Sequence, residues 1–301
     1  MEKNSHHHHG HSHNHFGDGN LNIKAGLLAV SMASFLVLIK IYAWVQTDSL
    51  SIFSSLIDSS FDVLISLINF LAIRYAVKPA DSDHPYGHTS IEDIVGLLQA
   101  AFISGSGFFI CYEALQRFFQ PVVVKETYAG IIVMGVSVAF TTALVIYQKI
   151  VVSKTRSLVV ASDSVHYLSD ILTGGLVMVS LLLAGVPGIE FIDPLIGCAI
   201  AVYISAGAIK IGRRAFNNLM DREIDEVDKK RIQEIIKAEP RVKGFHQFKT
   251  RCSGNKIFVQ FDIELDNNLS LQAAHDISDE VMFAIEKEFP ESEVVIHLDP
   301  V

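Results

Sequence analysis

The chain has 301 residues, half of them apolar and only 19% charged, with a formal net charge of -9 and a mean hydropathy of +0.35. An ordinary soluble domain carries nearer a quarter charged residues, so part of this chain belongs in a membrane. The acidity argues against a nucleic-acid partner, whose phosphates require a basic face.

Residues 1–20, MEKNSHHHHGHSHNHFGDGN, have no apolar periodicity and read as a disordered tail, too polar for a signal peptide. Seven of the thirteen histidines lie there: His6, His7, His8, His9, His11, His13 and His15. Gly, Ser and Asn interrupt the run, so it reads as a flexible metal-capturing tail more readily than as a purification tag. Six apolar stretches follow, each near the roughly 20 residues that cross a bilayer core: Ala25 to Val45, Ile52 to Ala76, Ile91 to Phe118, Tyr128 to Val151, Leu158 to Leu183 and Phe191 to Ile211. The spanning domain is expected over residues 21–215, and a soluble domain over 216–301.

Lys3, Lys24, Arg74, Lys78, Lys149, Lys154, Arg156, Lys210, Arg213 and Arg214 fall on one side of these spans, against Arg117 and Lys125 on the other. By the positive-inside rule both termini and the soluble domain face the cytoplasm. The last part reads α-β-β-α-β: a helix over Val227 to Ala238, strands over Phe245 to Arg251 and Ile257 to Leu265 joined by Ser253-Gly254-Asn255, a helix over Leu271 to Phe289 and a strand over Glu293 to Leu298. That order predicts a small α+β, ferredoxin-like sheet with its helices on one face.

Ionisable residues inside spans are costly and mark function. The second span holds Asp58 and Asp62, and the fifth holds His166 and Asp170, each pair at i and i+4 and so on one helical face. If the faces meet, they offer three carboxylates and an imidazole, enough for a four-coordinate divalent cation. Lys40 reads as a side chain near the outer end of its span that snorkels to the interface. The loop Lys78-Pro-Ala-Asp81-Ser-Asp83-His84-Pro-Tyr-Gly-His88-Thr-Ser-Ile-Glu92 reads equally as a metal site or as a turn. The soluble part holds His246, Asp262, His275, His297 and Asp299; strand period places His297 and Asp299 on one face. Cys111, Cys198 and Cys252 form no spaced pair, so neither a disulfide framework nor a thiolate site is read from them.

These motifs, with Phe191-Ile-Asp-Pro and Val295-Ile-His-Leu-Asp-Pro, resemble the cation diffusion facilitators, and are similar to the bacterial zinc and ferrous-iron efflux type. The resemblance spans about Leu21 to Pro300. It implies a homodimer of six-helix protomers with a cytoplasmic metallochaperone-like domain, exchanging a divalent cation for protons across a membrane, here a bacterial inner one. It places the transport site at Asp58, Asp62, His166 and Asp170, and a loop site at Asp81, His84 and His88. A binuclear site falls at His246, Asp262, His275, His297 and Asp299, with Asp299 as bridge. Two departures stand out. Position 262 is Asp, and 298 Leu, where relatives often place His or a polar group; and Ser90 replaces a Lys that pairs with an acid near the start of the soluble domain, so no charge interlock with Asp221 is available.

The quartet lacks thiolate, which disfavours copper(I), and four-coordination suits Zn(II); Fe(II) and Cd(II) stay open. A phosphate-cradling GxxxxGK[ST] is absent, so no nucleotide is implied, and HExxH is absent, which argues against a membrane metalloenzyme. A family member acting as metal sensor or scaffold, with little transport, is the other alternative.

Overall fold

A computed structural model describes residues 16–47, 50–119, 128–183 and 192–301. Six long helices come first: α1 (Phe16–Thr47), α2 (Leu50–Ala76), α3 (Ser90–Phe119), α4 (Tyr128–Thr155), α5 (Leu158–Leu183) and α6 (Ile192–Leu219). Among the described residues α1, α2, α3, α4 and α6 are long and apolar enough to cross a membrane. The chain is an integral membrane protein. α5, which carries Asp163, His166 and Asp170, is not among those five. Large apolar side chains such as Leu38, Leu98, Phe108 and Val202 point outward from the bundle, a surface that suits lipid and not water.

Two helix ends depart from the sequence reading. α1 begins at Phe16, so residues 16–20 of the expected tail are helical; Leu21 and Ile23 pack into a cluster with Ala72, Ile73 and Val159, and this burial carries the helix beyond its apolar run. Residues 1–15, with the histidine run, lie outside the described residues. α6 continues eight residues past Ile211 to Leu219, because Ala215 is fully buried and Asn218 is held by Asp93.

α3 and α6 approach through small residues. A Cβ added at Gly212 would lie 3.1 Å from Ala100 Cβ, and one at Gly197 would lie 3.2 Å from Ala114 Cβ. This close packing brings Cys111 and Cys198 together, Sγ to Sγ 3.9 Å, a proximity that their sequence spacing conceals. α2 and α5 are joined instead by a polar ladder. Ser55, Ser59, Asp62, Ser66 and Asn69 repeat at helical spacing along α2. Ser66 bonds Tyr167 Oη at 2.6 Å, and Asn69 Nδ2 donates to Asp163 at 2.8 Å.

The C-terminal domain contains α7 (Glu226–Ala238), β1 (Gly244–Ser253), β2 (Lys256–Leu265), α8 (Leu271–Glu288) and β3 (Ser292–Pro300). The sheet order is β1-β2-β3, with β1 antiparallel and β3 parallel to β2. The parallel pair needs a crossover, which α8 supplies. Ile232 and Ile236 of α7 and Ile277, Val281 and Ile285 of α8 bury against Val259, Phe261 and Ile263 of β2. Strand alternation therefore leaves Asp262 and Glu264 on the opposite face.

Gly254 and Asn255 close the β1–β2 hairpin. Gly254 has φ +58, a left-handed conformation that glycine adopts freely, and a Cβ there would lie 2.8 Å from the Thr89 carbonyl oxygen. The tip is docked on the start of α3. Its N–H donates to Asp93 Oδ2 at 2.7 Å, while Ser253 Oγ lies 2.8 Å from the hydroxyls of both Thr89 and Ser90. Asp93 Oδ1 accepts from Asn218 of α6 at 2.8 Å, so one buried carboxylate joins α3, α6 and the hairpin. Ser90 and Asp221 both take part in this junction, but apart: Asp221 pairs with Arg251 at 3.2 Å.

Candidate metal centres

The ladder between α2 and α5 leads to the first cluster. Asp62, His166 and Asp170 each present a ligand atom within 4.8 Å of the others. His166 Nε2 lies 3.1 Å from Asp62 Oδ1 and 3.9 Å from Asp170 Oδ2. The His166 side chain is 11% exposed and that of Asp170 42%, so the cluster is walled on one side and open on the other. Asp58, the fourth expected ligand, is exposed and does not join this group. It lies a turn from Asp62, toward the end of α2 far from the C-terminal domain.

Two residues beside this cluster have partners that the sequence does not reveal. Asp163 is buried and accepts from Asn69 of α2 at 2.8 Å and from Gln148 of α4 at 2.5 Å. Its signal was its position three residues before His166, on the same helical side. Lys40, expected to snorkel, is instead 8% exposed. Its Nζ donates to Ser59 Oγ at 2.6 Å and to the Ser55 carbonyl at 3.2 Å; α2 supplies polar oxygens at that depth, so the ammonium need not reach an interface.

The second cluster is the loop between α2 and α3. Asp81, His84 and His88 again bring ligand atoms within 4.8 Å of one another. Asp81 Oδ1 accepts the backbone N–H groups of His84 at 2.7 Å and Asp83 at 3.0 Å, the turn geometry that aspartate favours. The His84 N–H above all, with the Asp83 N–H, holds the Asp81 carboxyl below the usual carboxylate range. His88 is buried, its Nδ1 3.4 Å from the Lys78 carbonyl and its Nε2 3.2 Å from Asp81 Oδ2. A carbonyl only accepts, so it favours the tautomer with the proton on Nδ1. The Nε2 lone pair then faces a carboxylate, an arrangement that a cation or a shared proton between them satisfies.

The third cluster spans the open face of the sheet. β1 carries a bulge between His246 and Lys249, with Gln247 at φ 49, and this bulge sets His246 opposite Asp262. Asp262 is opposite His297, and Glu264 opposite Asp299, on β3. His246 Nε2 is 3.1 Å from Asp299 Oδ2 and 3.6 Å from Asp262 Oδ2, while His297 Nε2 is 3.2 Å from Asp299 Oδ1. Asp299 thus stands between the two imidazoles. His275 does not join them: it sits on α8, in the layer on the other side of the sheet, 3.7 Å from Asp279. Glu264, which sequence reasoning passed over, lies 3.2 Å from His246 Nδ1 and orients that ring. Its signal was the strand period, two residues from Asp262.

Residues 26–220 match the family model described as the cation efflux transmembrane domain, and residues 224–301 match that of the cation efflux protein cytoplasmic domain. The chain belongs to the cation diffusion facilitator family. It is similar to the cation-efflux pump FieF of Shewanella oneidensis, 42% identical over 277 residues that cover 92% of this chain and 93% of the relative. Protein p34 of Rickettsia rickettsii is 40% identical over 276 residues, covering 92% and 91%. FieF of Klebsiella pneumoniae is 39% identical over 282 residues, 94% of each chain. Membership makes the chain a cation efflux transporter and not an enzyme. Both matched regions fall on the bundle and the sheet domain described above, the boundary lying in the segment after α6.

Proposed function

We propose that this cation diffusion facilitator exports a divalent metal ion, Zn(II) first among Zn(II), Fe(II) and Cd(II), from the cytoplasm in exchange for protons. The observation that carries the reading is the meeting of Asp62, His166 and Asp170 inside membrane helices. An imidazole and carboxylates without thiolate suit Zn(II) or Fe(II) over copper(I). Asp58, one helical turn from Asp62, supplies the fourth ligand by a change of side-chain rotamer.

Exchange follows from the ligands. Metal binding needs a neutral His166 and ionised Asp58, Asp62 and Asp170, so protons and the cation compete for the same atoms. A cytoplasmic cation displaces protons; after the bundle opens to the other side, protons displace the cation. α5 is the sixth span, its polar face turned to α2 and its remaining surface to neighbouring helices. The domain with order α7-β1-β2-α8-β3 is of the ferredoxin-like, metallochaperone type. The match of residues 224–301 to the family's cytoplasmic domain supports a cytoplasmic C-terminus, as does the positive-inside pattern. A homodimer in a bacterial inner membrane accords with the family and its relatives.

The soluble cluster and the loop cluster bind the same cation as sensors. His246, Asp262 and Asp299 gather in one protomer, His297 touches Asp299, and His275, exposed on α8 beside Asp279, serves across a dimer interface. Binding there shifts the transporter only by its differential affinity for the two states.

The test is metal uptake by proteoliposomes under an imposed pH gradient, with Zn(II), Fe(II), Cd(II) and Mn(II) compared. Gradient-driven Zn(II) flux accompanied by counter-movement of protons is expected. Zn(II) flux indifferent to the gradient overturns antiport, and transport of Mn(II) in preference to all others overturns the cargo assignment.

A further inference from the structure

Lys40 is a cation buried in a membrane helix that the exchange reaction does not use. Such a residue marks function unless it can escape to an interface, and Lys40 does not escape. Two of its three N–H bonds go to neutral oxygens, the Ser59 hydroxyl and the Ser55 carbonyl. Both serines lie on the ladder face of α2, and Ser59 precedes Asp62 by three residues, about 4.5 Å of rise along the helix. Asp58 and Asp62 flank Ser59 on α2, and Asp170 gathers with Asp62, so the ammonium stands beside the carboxylates of the cluster without touching them.

We propose that the Lys40 ammonium is a fixed counter-charge that weakens cation binding at Asp62, His166 and Asp170 so that the cargo can leave. The inference rests on the transport-site reading above. Several carboxylates and an imidazole in a medium of low polarity make a strong trap for a dication. A transport site must bind tightly enough to fill yet weakly enough to empty. Because its bonds to Ser55 and Ser59 hold it on α2, the ammonium does not collapse onto a carboxylate, and its charge still acts on an arriving cation. It stands on the side of the cluster away from the C-terminal domain.

The experiment measures Zn(II) flux in vesicles holding the full chain, under a fixed pH gradient, for Lys40→Met, Lys40→Gln and Lys40→Arg. Removing the charge is expected to lower KM by about tenfold or more and to lower turnover in step, the effect of a unit charge on a nearby dication in a medium of intermediate polarity. Lys40→Arg, which keeps the charge, is expected to have a KM nearer that of the parent chain than either neutral variant. A merely structural peg predicts the reverse pattern: less folded protein in Lys40→Met and Lys40→Gln, with KM unchanged in the folded fraction, and that result overturns the proposal. A raised KM in the neutral variants does so too. His166→Ala in the same assay separates the two claims: if it carries normal flux, the site assignment has failed, whereas a dead His166→Ala beside an unchanged Lys40→Met KM removes only the counter-charge.

Discussion

His166 Nε2 and Asp62 Oδ1 stand 3.1 Å apart although 104 residues separate them in the chain. This contact joins Asp62 of one i, i+4 motif to both members of the other, and everything proposed about transport depends on it. Two further contacts, Ser66 with Tyr167 and Asn69 with Asp163, hold α5 in the same register against α2.

Asp62→Ala or His166→Ala is expected to reduce metal flux to background while leaving the protein folded, since each removes a ligand atom from a partly open cluster and not a packed core side chain. Uptake into inside-out vesicles checks this, with size-exclusion profiles as the control for folding. Wild-type flux in either variant contradicts the assignment.

Asp163→Ala should act on stability first. It leaves the Asn69 and Gln148 amides without their acceptor in a buried site, at a cost of about 1–3 kcal/mol for each donor so stranded. A lower Tm in detergent is expected, with Asp163→Asn closer to the parent because its remaining carbonyl oxygen still accepts. Equal Tm values for all three chains would refute the ladder as a stabilising device.

Gly254→Val combines a left-handed backbone with a side chain driven toward the Thr89 carbonyl. The hairpin tip should leave α3, and the segment after α6, at about residues 220–225, should then be cut faster by protease than in the parent. Asp93→Ala removes the acceptor of the Gly254 N–H and of Asn218 and is expected to give the same cleavage pattern. Unchanged cleavage in both variants would mean that the junction does not hold the domain.

Glu264→Gln keeps the shape of the group beside His246 Nδ1 but loses its charge. Loss of such an orienting partner typically weakens a metal site by about 10–100-fold. Calorimetric titration of the full chain with Zn(II) should show one class of sites weakened by that factor and the others unmoved.

Asp81 gives a pH expectation with a definite sign. The His84 N–H in the first place, and the Asp83 N–H with it, hold the carboxyl below its ordinary value, so its stabilisation of the loop is complete above the unfolded value of about 3.9 and is lost as pH falls through the lower folded one. Between pH 5 and 8 Asp81 stays charged, and any change in loop binding over that window comes from other groups. Asp81→Asn should therefore weaken Zn(II) binding to the loop throughout the window, and binding undiminished at pH 8, where Asp81 is charged in the parent, would be inconsistent with this.

The motifs that decide the family were all visible in sequence, because each is a short-range pattern: Asp58 and Asp62, His84 and His88, His166 and Asp170, and the alternation of His297 and Asp299. Helix cores were legible for the same reason, since twenty apolar residues in a row leave few other solutions. Helix ends were not. α1 starts at Phe16 and α6 ends at Leu219 because of packing against Val159 and Asp93, residues distant in sequence. The contacts of Glu264, Asp163 and Lys40 were hidden likewise: a lone acid or base reveals its partner only when another helix or strand arrives.

The sequence alone determined a membrane bundle followed by an α+β domain, three groups of candidate ligands and the family, since hydrophobic length, helical spacing and strand period are local properties of the chain. Only the tertiary structure decided which candidate ligands meet. It joined Asp62 to His166 and Asp170 while leaving Asp58 a turn away, separated His275 from His246 by the thickness of a sheet, buried Lys40 against Ser55 and Ser59, and set Cys111 beside Cys198. Distances between elements depend on side-chain packing across the whole bundle, and no local pattern encodes them.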